Sequence, residues 1–563
     1  MPRTVSIGCQ DFEKLRMRNN FYVDKTAFIR EWWEADDEVT LITRPRRFGK
    51  TLAMSVLEKF FSVEYAGRSD LFEGLNIWSE EKYRKLQGTY PVIFISFASV
   101  KETTFLSAQK KLFFLIAELY NHFDFLLDSG ILKEDEKEYY LKISFDMEAH
   151  IATDALKALS GFLMRYYGKK VILLLDEYDT PMQEAYVYGY WEELAAFTRS
   201  LFNAAFKSNP YIERAVMTGI TRISKESMFS DLNNLKVVTV TSEEYADSFG
   251  FTEKEVLSAL DEYAMADRKD EVKMWYDGFV FGSRTEIYNP WSIINFLDTA
   301  KARPYWVNTS SNSLVEKLVR EGSPKLKMVM EGLLQGENFH TFLDEQIVFS
   351  ELEKGEEAVW SLLLASGYLK AMSAALNTNR MEMEYELKLT NMEVRFMFLQ
   401  LIRSWFGRCR ETHNGFLQAL ISDDLEGMNA YMNEVSNEMF SCFDTGKKPS
   451  EKAQPERFYH GFVLGLLAEL QDRYIISSNQ ESGLGRYDVM VEPKNKGNIA
   501  FIIEFKVVHA KRKETLEDGV KAALQQIEEK QYEAVLLSRG IAPEQIRKYG
   551  FAFEGSNVLI GSI

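Results

Sequence analysis

Gly49-Lys50-Thr51 follow a short apolar run, Val39-Thr40-Leu41-Ile42-Thr43, and precede the apolar-periodic Leu52-Ala53-Met54-Ser55-Val56-Leu57. A strand, a glycine-bearing turn and a helix in that order suit a phosphate-binding loop, because the turn's N–H groups and the helix N-terminus converge on an anion. In such a loop Lys50 reaches the β- and γ-phosphates of ATP and the Thr51 hydroxyl ligates Mg²⁺. Arg44 stands where G-x-x-x-x-G-K-T has its first glycine, so the loop must open with a backbone shape that tolerates a side chain. Arg44, Arg46 and Arg47 add positive charge beside the phosphates, and Phe48 lies in the same stretch.

A second apolar run, Val171-Ile172-Leu173-Leu174-Leu175, ends in Asp176-Glu177. Such a run is a strand buried on both faces, as in a parallel sheet. Its carboxyl end is where open α/β sheets bind ligands. Asp176 is expected to hold the Mg²⁺ shell and Glu177 to polarise the attacking water. A third strand, 212–220, ends near Thr218, which either senses the γ-phosphate or hydrogen-bonds its own turn.

The last hundred residues carry another set. Tyr487-Asp488-Val489-Met490-Val491 and Ile499 to Val508 read as two strands around the turn Pro493-Lys494-Asn495-Lys496-Gly497-Asn498. Side chains alternate along a strand, so Glu504 and Lys506 share one face while Ile503, Phe505 and Val507 share the other. An E-x-K pair alone is satisfied by a surface salt bridge. Joined by Asp488 on the neighbouring strand, it is what metal-dependent phosphodiester hydrolysis requires: carboxylates for Mg²⁺ and a lysine for the developing negative charge. Glu456, ahead of an apolar helix, is a further metal ligand on this reading, and Gln526 on a downstream helix faces the same site.

These residues need scaffolds. At 563 residues the chain exceeds one core, and 46% hydrophobic with 27% charged residues is ordinary globular composition. Further strand and helix patterns at 91–97, 103–125, 154–167 and 190–208 alternate, as in a parallel α/β sheet. Residues 252–302 read as helical with aromatic landmarks at Trp275-Tyr276-Asp277-Gly278-Phe279 and Tyr288-Asn289-Pro290-Trp291-Ser292, which suit core and lid packing. A hairpin is expected around Asn377-Thr378-Asn379-Arg380. Cys9, Cys409 and Cys442 are scattered, against a disulfide framework or zinc module. With no apolar leader and no apolar stretch of spanning length, a cytoplasmic protein without membrane contact is expected. The net charge of −17 argues against coating nucleic acid non-specifically and leaves room for a local basic patch.

Val23-Asp24-Lys25-Thr26, Arg44-Pro45-Arg46-Arg47-Phe48-Gly49-Lys50-Thr51, Leu175-Asp176-Glu177-Tyr178-Asp179, Thr218-Gly219-Ile220 and Trp275-Tyr276-Asp277-Gly278 occur in order. This set resembles the bacterial AAA-ATPase-like family with an R-P-R-R-F-G-K-T phosphate loop. The carboxyl-terminal set, Glu456, Asp488, Glu504, Lys506 and Gln526, resembles the PD-(D/E)XK nuclease superfamily in the version fused to that ATPase. Residues 306–445 read as a helical, charged connecting region, ended by the polar stretch Gly446-Lys447-Lys448-Pro449-Ser450-Glu451-Lys452. The resemblance, over about 4–300 and 450–563, implies a P-loop domain over 1–240, a helical or winged-helix lid over 241–305 and a nuclease-like α/β domain over 446–563. It implies an enzyme that binds and hydrolyses ATP and cleaves DNA or RNA with Mg²⁺; defence against foreign nucleic acid is an analogy from the domain pairing. It also admits a homo-oligomer that completes the ATP site with a neighbour's arginine, Arg214 and Arg222 being the candidates. The alternative is a nucleotide-controlled switch or binding protein whose nuclease-like domain does not cut.

Overall fold

A computed structural model describes residues 2–207, 209–221, 232–307, 313–321, 323–343, 355–405, 413–433, 463, 466–467, 470, 473–478, 481–482, 485–508, 514–554 and 557–563. The chain forms two compact units, Met1–Leu318 with His340–Val394, and Val319–Phe339 with Arg395–Ile563.

The first unit is built on β1 (Val39–Thr43), β2 (Val92–Ser96), β3 (Val171–Asp176), β4 (Ile212–Gly219) and β5 (Leu235–Val238). All neighbours pair in parallel, in the order β2-β3-β4-β1-β5. The expected strands are present, and β5 completes the sheet beyond β1. Ile172 and Leu174 pack into one apolar layer with Trp32, Phe60 and Phe61, while Leu173 and Leu175 are buried on the opposite face. Burial on both faces accounts for the unbroken apolar run of β3. The helices relevant to the site are α1 (Ala27–Ala35), α2 (Lys50–Phe61), α3 (Phe105–His122), α4 (Ala149–Tyr167), α5 (Thr180–Tyr188) and α6 (Trp191–Phe206).

The stretch expected to be helical over 252–302 is mixed. It runs β6 (Phe251–Thr252), α7 (Glu253–Glu262), α8 (Lys269–Tyr276), β7 (Phe279–Phe281), β8 (Arg284–Tyr288) and α9 (Pro290–Thr299), with the strands in antiparallel order β6-β8-β7. Gly278, at φ 125°, ends the helical path; a Cβ there would lie 2.1 Å from the Thr390 carbonyl oxygen. The aromatic landmarks are core: Tyr276, Phe279 and Tyr288 are buried.

After α10 (Glu356–Ala365), β10 (Leu369–Asn377) and β11 (Glu382–Leu389) form the expected hairpin, joined by β9 (Phe339–Phe342) in the order β10-β11-β9. Just beyond it, Glu393 is fully buried. Its carboxylate accepts hydrogen bonds from the Ser292 hydroxyl at 2.9 Å and the Trp306 N–H at 2.6 Å. Burial pushes its pKa up to about 7 from about 4.5, against those hydrogen bonds. A raised carboxyl pKa contributes stability that is full below about pH 4.5 and is lost as pH rises through about 7. Thermal unfolding from pH 4 to 8 is therefore expected to show a fall in Tm that Glu393→Gln flattens, by on the order of 3 kcal/mol in stability. Parallel curves for the two proteins would refute this.

The second unit contains β12 (Tyr474–Ser478), the short pair β13 (Glu481–Ser482) and β14 (Gly485–Arg486), β15 (Val489–Pro493), β16 (Ala500–Val507), α11 (Leu516–Glu529), β17 (Ile546–Glu554) and β18 (Asn557–Ser562). The main sheet has the order β12-β15-β16-β17-β18, antiparallel except for the parallel β16–β17 pair. Ile503, Phe505, Phe551 and Phe553 pack on one face with Phe416, Leu420 and Leu467. Ile502 and Ala552 pack on the other with Val520, Leu524 and Ile527 of α11. The two-residue period thus turns Glu504 toward the α11 side. Among the described residues no helix is long and apolar enough to cross a membrane.

Candidate functional sites: a phosphate loop and a carboxylate pair

Gly49 adopts φ 83° immediately before α2, a left-handed turn that leaves the helix's first N–H groups without intrahelical partners. A Cβ at Gly49 would meet no neighbour, so the glycine serves the backbone angle rather than space. Lys50 is buried, and its ammonium donates to the carbonyl oxygens of Arg44 at 2.9 Å and Pro45 at 2.8 Å. Burial lowers its pKa, opposed by the charges of Glu177, Asp179 and Asp176. Thr51 donates to Asp176 Oδ2 at 2.8 Å, and Thr218 donates to Asp176 Oδ1 at 2.5 Å. Thr218 therefore bonds across to β3 rather than to its own turn. Burial raises the Asp176 pKa and these two hydroxyls lower it.

Glu177 directly follows, at φ 50°, a strained angle for a residue with a side chain. Its N–H lies 3.4 Å from Thr218 Oγ1, and its carboxylate accepts from the Thr180 hydroxyl at 3.0 Å. Lys50, Thr51, Asp176, Glu177 and Thr218 thus gather at the carboxyl ends of β1, β3 and β4.

Arg44 and Phe48 do not face that place, contrary to the expectation that they flank the nucleotide. Arg44 is 0% exposed. Its guanidinium donates to the carbonyls of Thr43 at 2.9 Å, Thr239 at 2.6 Å and Glu244 at 3.1 Å, and stacks on Phe281. The forked donor fills a nest of carbonyls that the chain after β5 would otherwise bury unpaired. Burial draws its pKa down to about 9, so it stays protonated at neutral pH. Phe48 packs between Phe279 and Phe281, with ring centroids 4.7 and 5.4 Å away. Arg47, at φ 64°, stacks on Trp291 of α9 at 4.4 Å. Arg46 donates to Gln183 at 3.0 Å, and its carbonyl accepts from Asn289 at 3.3 Å. Loop residues before Gly49 are therefore held from outside by the 249–299 region. Arg44→Met is expected to cost about 3–5 kcal/mol, measured by denaturant unfolding, because it strands buried carbonyls. Arg44→Lys should recover little of that, since an ammonium cannot reproduce the fork.

Arg214 is also structural: it stacks on Trp33 at 4.2 Å and donates to the carbonyls of Trp32 and Trp33 and to Asp36. Arg222 and Glu456 lie outside the described residues.

In the second unit the antiparallel register of Val489 with Ile503 sets Asp488 beside Glu504. Asp488 Oδ2 accepts from the Phe505 N–H at 2.8 Å. Glu504 is 1% exposed; its Oε1 accepts from Lys506 Nζ at 3.1 Å and from Gln526 Nε2. Its Oε2 is buried without a hydrogen-bond partner among the described residues. Burial, then the charge of Asp488, pushes the Glu504 pKa up to about 8, and burial raises that of Asp488. Tyr532, which carries no local sequence signal, supports the set: its hydroxyl accepts from Gln526 at 3.0 Å and donates to the Arg486 carbonyl at 2.6 Å. A buried, unpartnered carboxylate oxygen beside a second carboxylate fits a hard divalent cation with oxygen ligands. Among the described residues no group of three or more His, Cys, Asp or Glu side chains is placed to hold a metal ion.

Residues 6–229 match the family model described as "Predicted AAA-ATPase" of the AAA-ATPase-like type, and residues 454–562 match the PD-(D/E)XK nuclease superfamily. A relative described as "Uncharacterized protein in vnfD 5'region", from Azotobacter chroococcum mcd 1, is 25% identical over 568 residues. The similarity spans 98% of this chain and 96% of that relative.

Proposed function

Because an AAA-ATPase-like segment and a PD-(D/E)XK nuclease superfamily segment stand in one chain, we propose an ATP-hydrolysing enzyme whose carboxyl-terminal domain cleaves nucleic acid by Mg²⁺-dependent phosphodiester hydrolysis. The observation that carries this reading is the buried Glu504 Oε2, left without a partner beside Asp488 and Lys506.

Asp488 and Glu504 are the residues that would hold Mg²⁺. The ion, when bound, supplies Lewis acidity and a water of lowered pKa. Gln526 and Lys506 occupy Glu504 Oε1 and so leave Oε2 for that role. Lys506 also places positive charge where a phosphate gains negative charge as its bond breaks. Tyr532 fixes the Gln526 amide and thereby the Glu504 rotamer. In the ATP site, Lys50 now caps two loop carbonyls from which the phosphates of a nucleotide would take it over. Thr51 and Asp176 are the Mg²⁺ side of that site, Glu177 the group that orients water, and Thr218 the group that reports the γ-phosphate. A cytoplasmic location, a homo-oligomer and a role against foreign nucleic acid belong to the same proposal.

A nucleotide-controlled switch is the second reading, favoured by the grip of Asn289, Phe279 and Phe281 on the phosphate loop. Labelled single- and double-stranded DNA and RNA, incubated with Mg²⁺ or Mn²⁺ with and without ATP, separate the two. Metal-dependent cleavage supports the enzyme. ATP hydrolysis with no cleavage of any substrate would overturn the nuclease and leave the switch.

A further inference from the structure

Asp179, two residues past Glu177, is buried at 1% exposure and stands outside the roles assigned above. Its Oδ2 accepts from the Ile220 N–H, the Thr221 N–H and the Thr221 hydroxyl, each at 2.9 Å, and from Gln183 Nε2 at 3.1 Å. Gln183 Oε1 in turn accepts from Arg46 of the phosphate loop at 3.0 Å. Tyr178 clasps the same stretch from the other side: its N–H donates to the Thr218 carbonyl at 3.0 Å and its hydroxyl to the Thr221 carbonyl at 2.7 Å. Gly219 lies inside the clasp. A Cβ there would stand 2.6 Å from the Tyr178 ring and 2.7 Å from Asp179 Oδ1, so only glycine lets it close.

The continuous path is Arg46, Gln183, Asp179, Thr221. It ties the phosphate loop to the residues that follow Thr218, and the strained Glu177 sits between the two bonded ends. A non-glycine residue keeps φ 50° only where its surroundings hold it there. We propose that Asp179 and Gln183 are positioning residues that lock the exit of β4 to the phosphate loop, keeping Thr218 on Asp176 and Glu177 in its strained setting during ATP hydrolysis. In this role they act through Thr218 and Glu177. The proposal rests on the ATP-hydrolysing reading above.

The test uses the full chain with ATP, measuring turnover, ATP binding by calorimetry and Tm for Asp179→Asn, Gln183→Leu, Thr221→Val and Thr221→Ser. Gln183→Leu and Thr221→Val are expected to lower kcat on the order of tenfold while the Kd for ATP stays within about twofold. Thr221→Ser, which keeps the hydroxyl, is expected to restore kcat. Should Asp179→Asn fail to fold, the Gln183 and Thr221 variants read the same path. Wild-type kcat in both Gln183→Leu and Thr221→Val, or a loss in Thr221→Ser equal to that in Thr221→Val, would overturn the proposal. Turnover by the unsubstituted protein that Lys50→Ala removes shows that the ATPase reading stands in either case. No turnover by the unsubstituted protein would overturn that reading and this proposal together.

Discussion

Glu504→Gln is expected to lower metal-dependent cleavage of nucleic acid by about a hundred- to a thousandfold, the scale of losing one preorganised charge contact at a reacting group, while ATP turnover persists. The substitution keeps the side chain's length and its contact with Lys506 or Gln526, so packing is preserved. It removes the anion at the position where Oε2 is buried unpartnered, and with it the charge a divalent cation needs. Because burial already opposes the Glu504 charge and Lys506 and Gln526 can still donate to the amide oxygen, the variant's Tm should stay close to that of the unsubstituted protein. A dead, stable variant therefore separates loss of chemistry from loss of fold. Cleavage at the original rate would remove Glu504 from the site, and a collapsed Tm would make the lost cleavage uninformative about chemistry.

Lys50→Ala is expected to abolish ATP binding and turnover together, with cleavage measured without ATP left intact. Lys50 sits behind the loop with its ammonium 2.8 and 2.9 Å from two carbonyls, so it is poised rather than mobile. Its buried charge is balanced by the neighbouring acids Glu177, Asp179 and Asp176. Removing it leaves those acids facing the phosphates with no cation between. Calorimetry with ATP and Mg²⁺ checks this directly, and binding within about tenfold of the original affinity would mean that the loop holds nucleotide by its backbone alone. If cleavage changes when ATP is added to the unsubstituted protein and not to Lys50→Ala, the two activities communicate.

How much of this is legible in the sequence follows from the range of the forces. The apolar runs of β1 and β3 announce a doubly covered sheet because burial on both faces needs no partner to be named. Alternation in β16 assigns Glu504 and Lys506 to one face for the same local reason, and the helical spacing of α11 carries Gln526 to them. Arg44 illustrates the opposite case. Its charge beside a phosphate loop suggests an anion partner, yet its actual partners are carbonyls of residues 239–245, which only the folded chain brings near. Tyr532 and the pairing of β16 with β17 depend on contacts between distant segments and leave no periodic trace. Likewise the sequence offers Asp179 only as the last residue of the Leu175-Asp176-Glu177-Tyr178-Asp179 motif, and its bonding becomes visible only once Ile220 and Thr221 are set against it. The stretch 252–302 misleads because helices and short strands alternate within a few residues, and glycines at 278 and 282 break the helical period.

The carboxylate of Glu393 that fastens Ser292 and Trp306 belongs to a segment made long after its partners. At roughly 5–20 residues per second of synthesis, on the order of ten seconds separates the emergence of Trp306 from that of Glu393. During that interval the ribosome carries a phosphate loop and sheet whose flank still lacks its buried acid, and the chain has meanwhile extended through Val319–Phe339, which belong to the other unit. A nascent chain therefore completes the AAA-ATPase-like unit, which takes in Glu393, only after Val319–Phe339 of the other unit have been made.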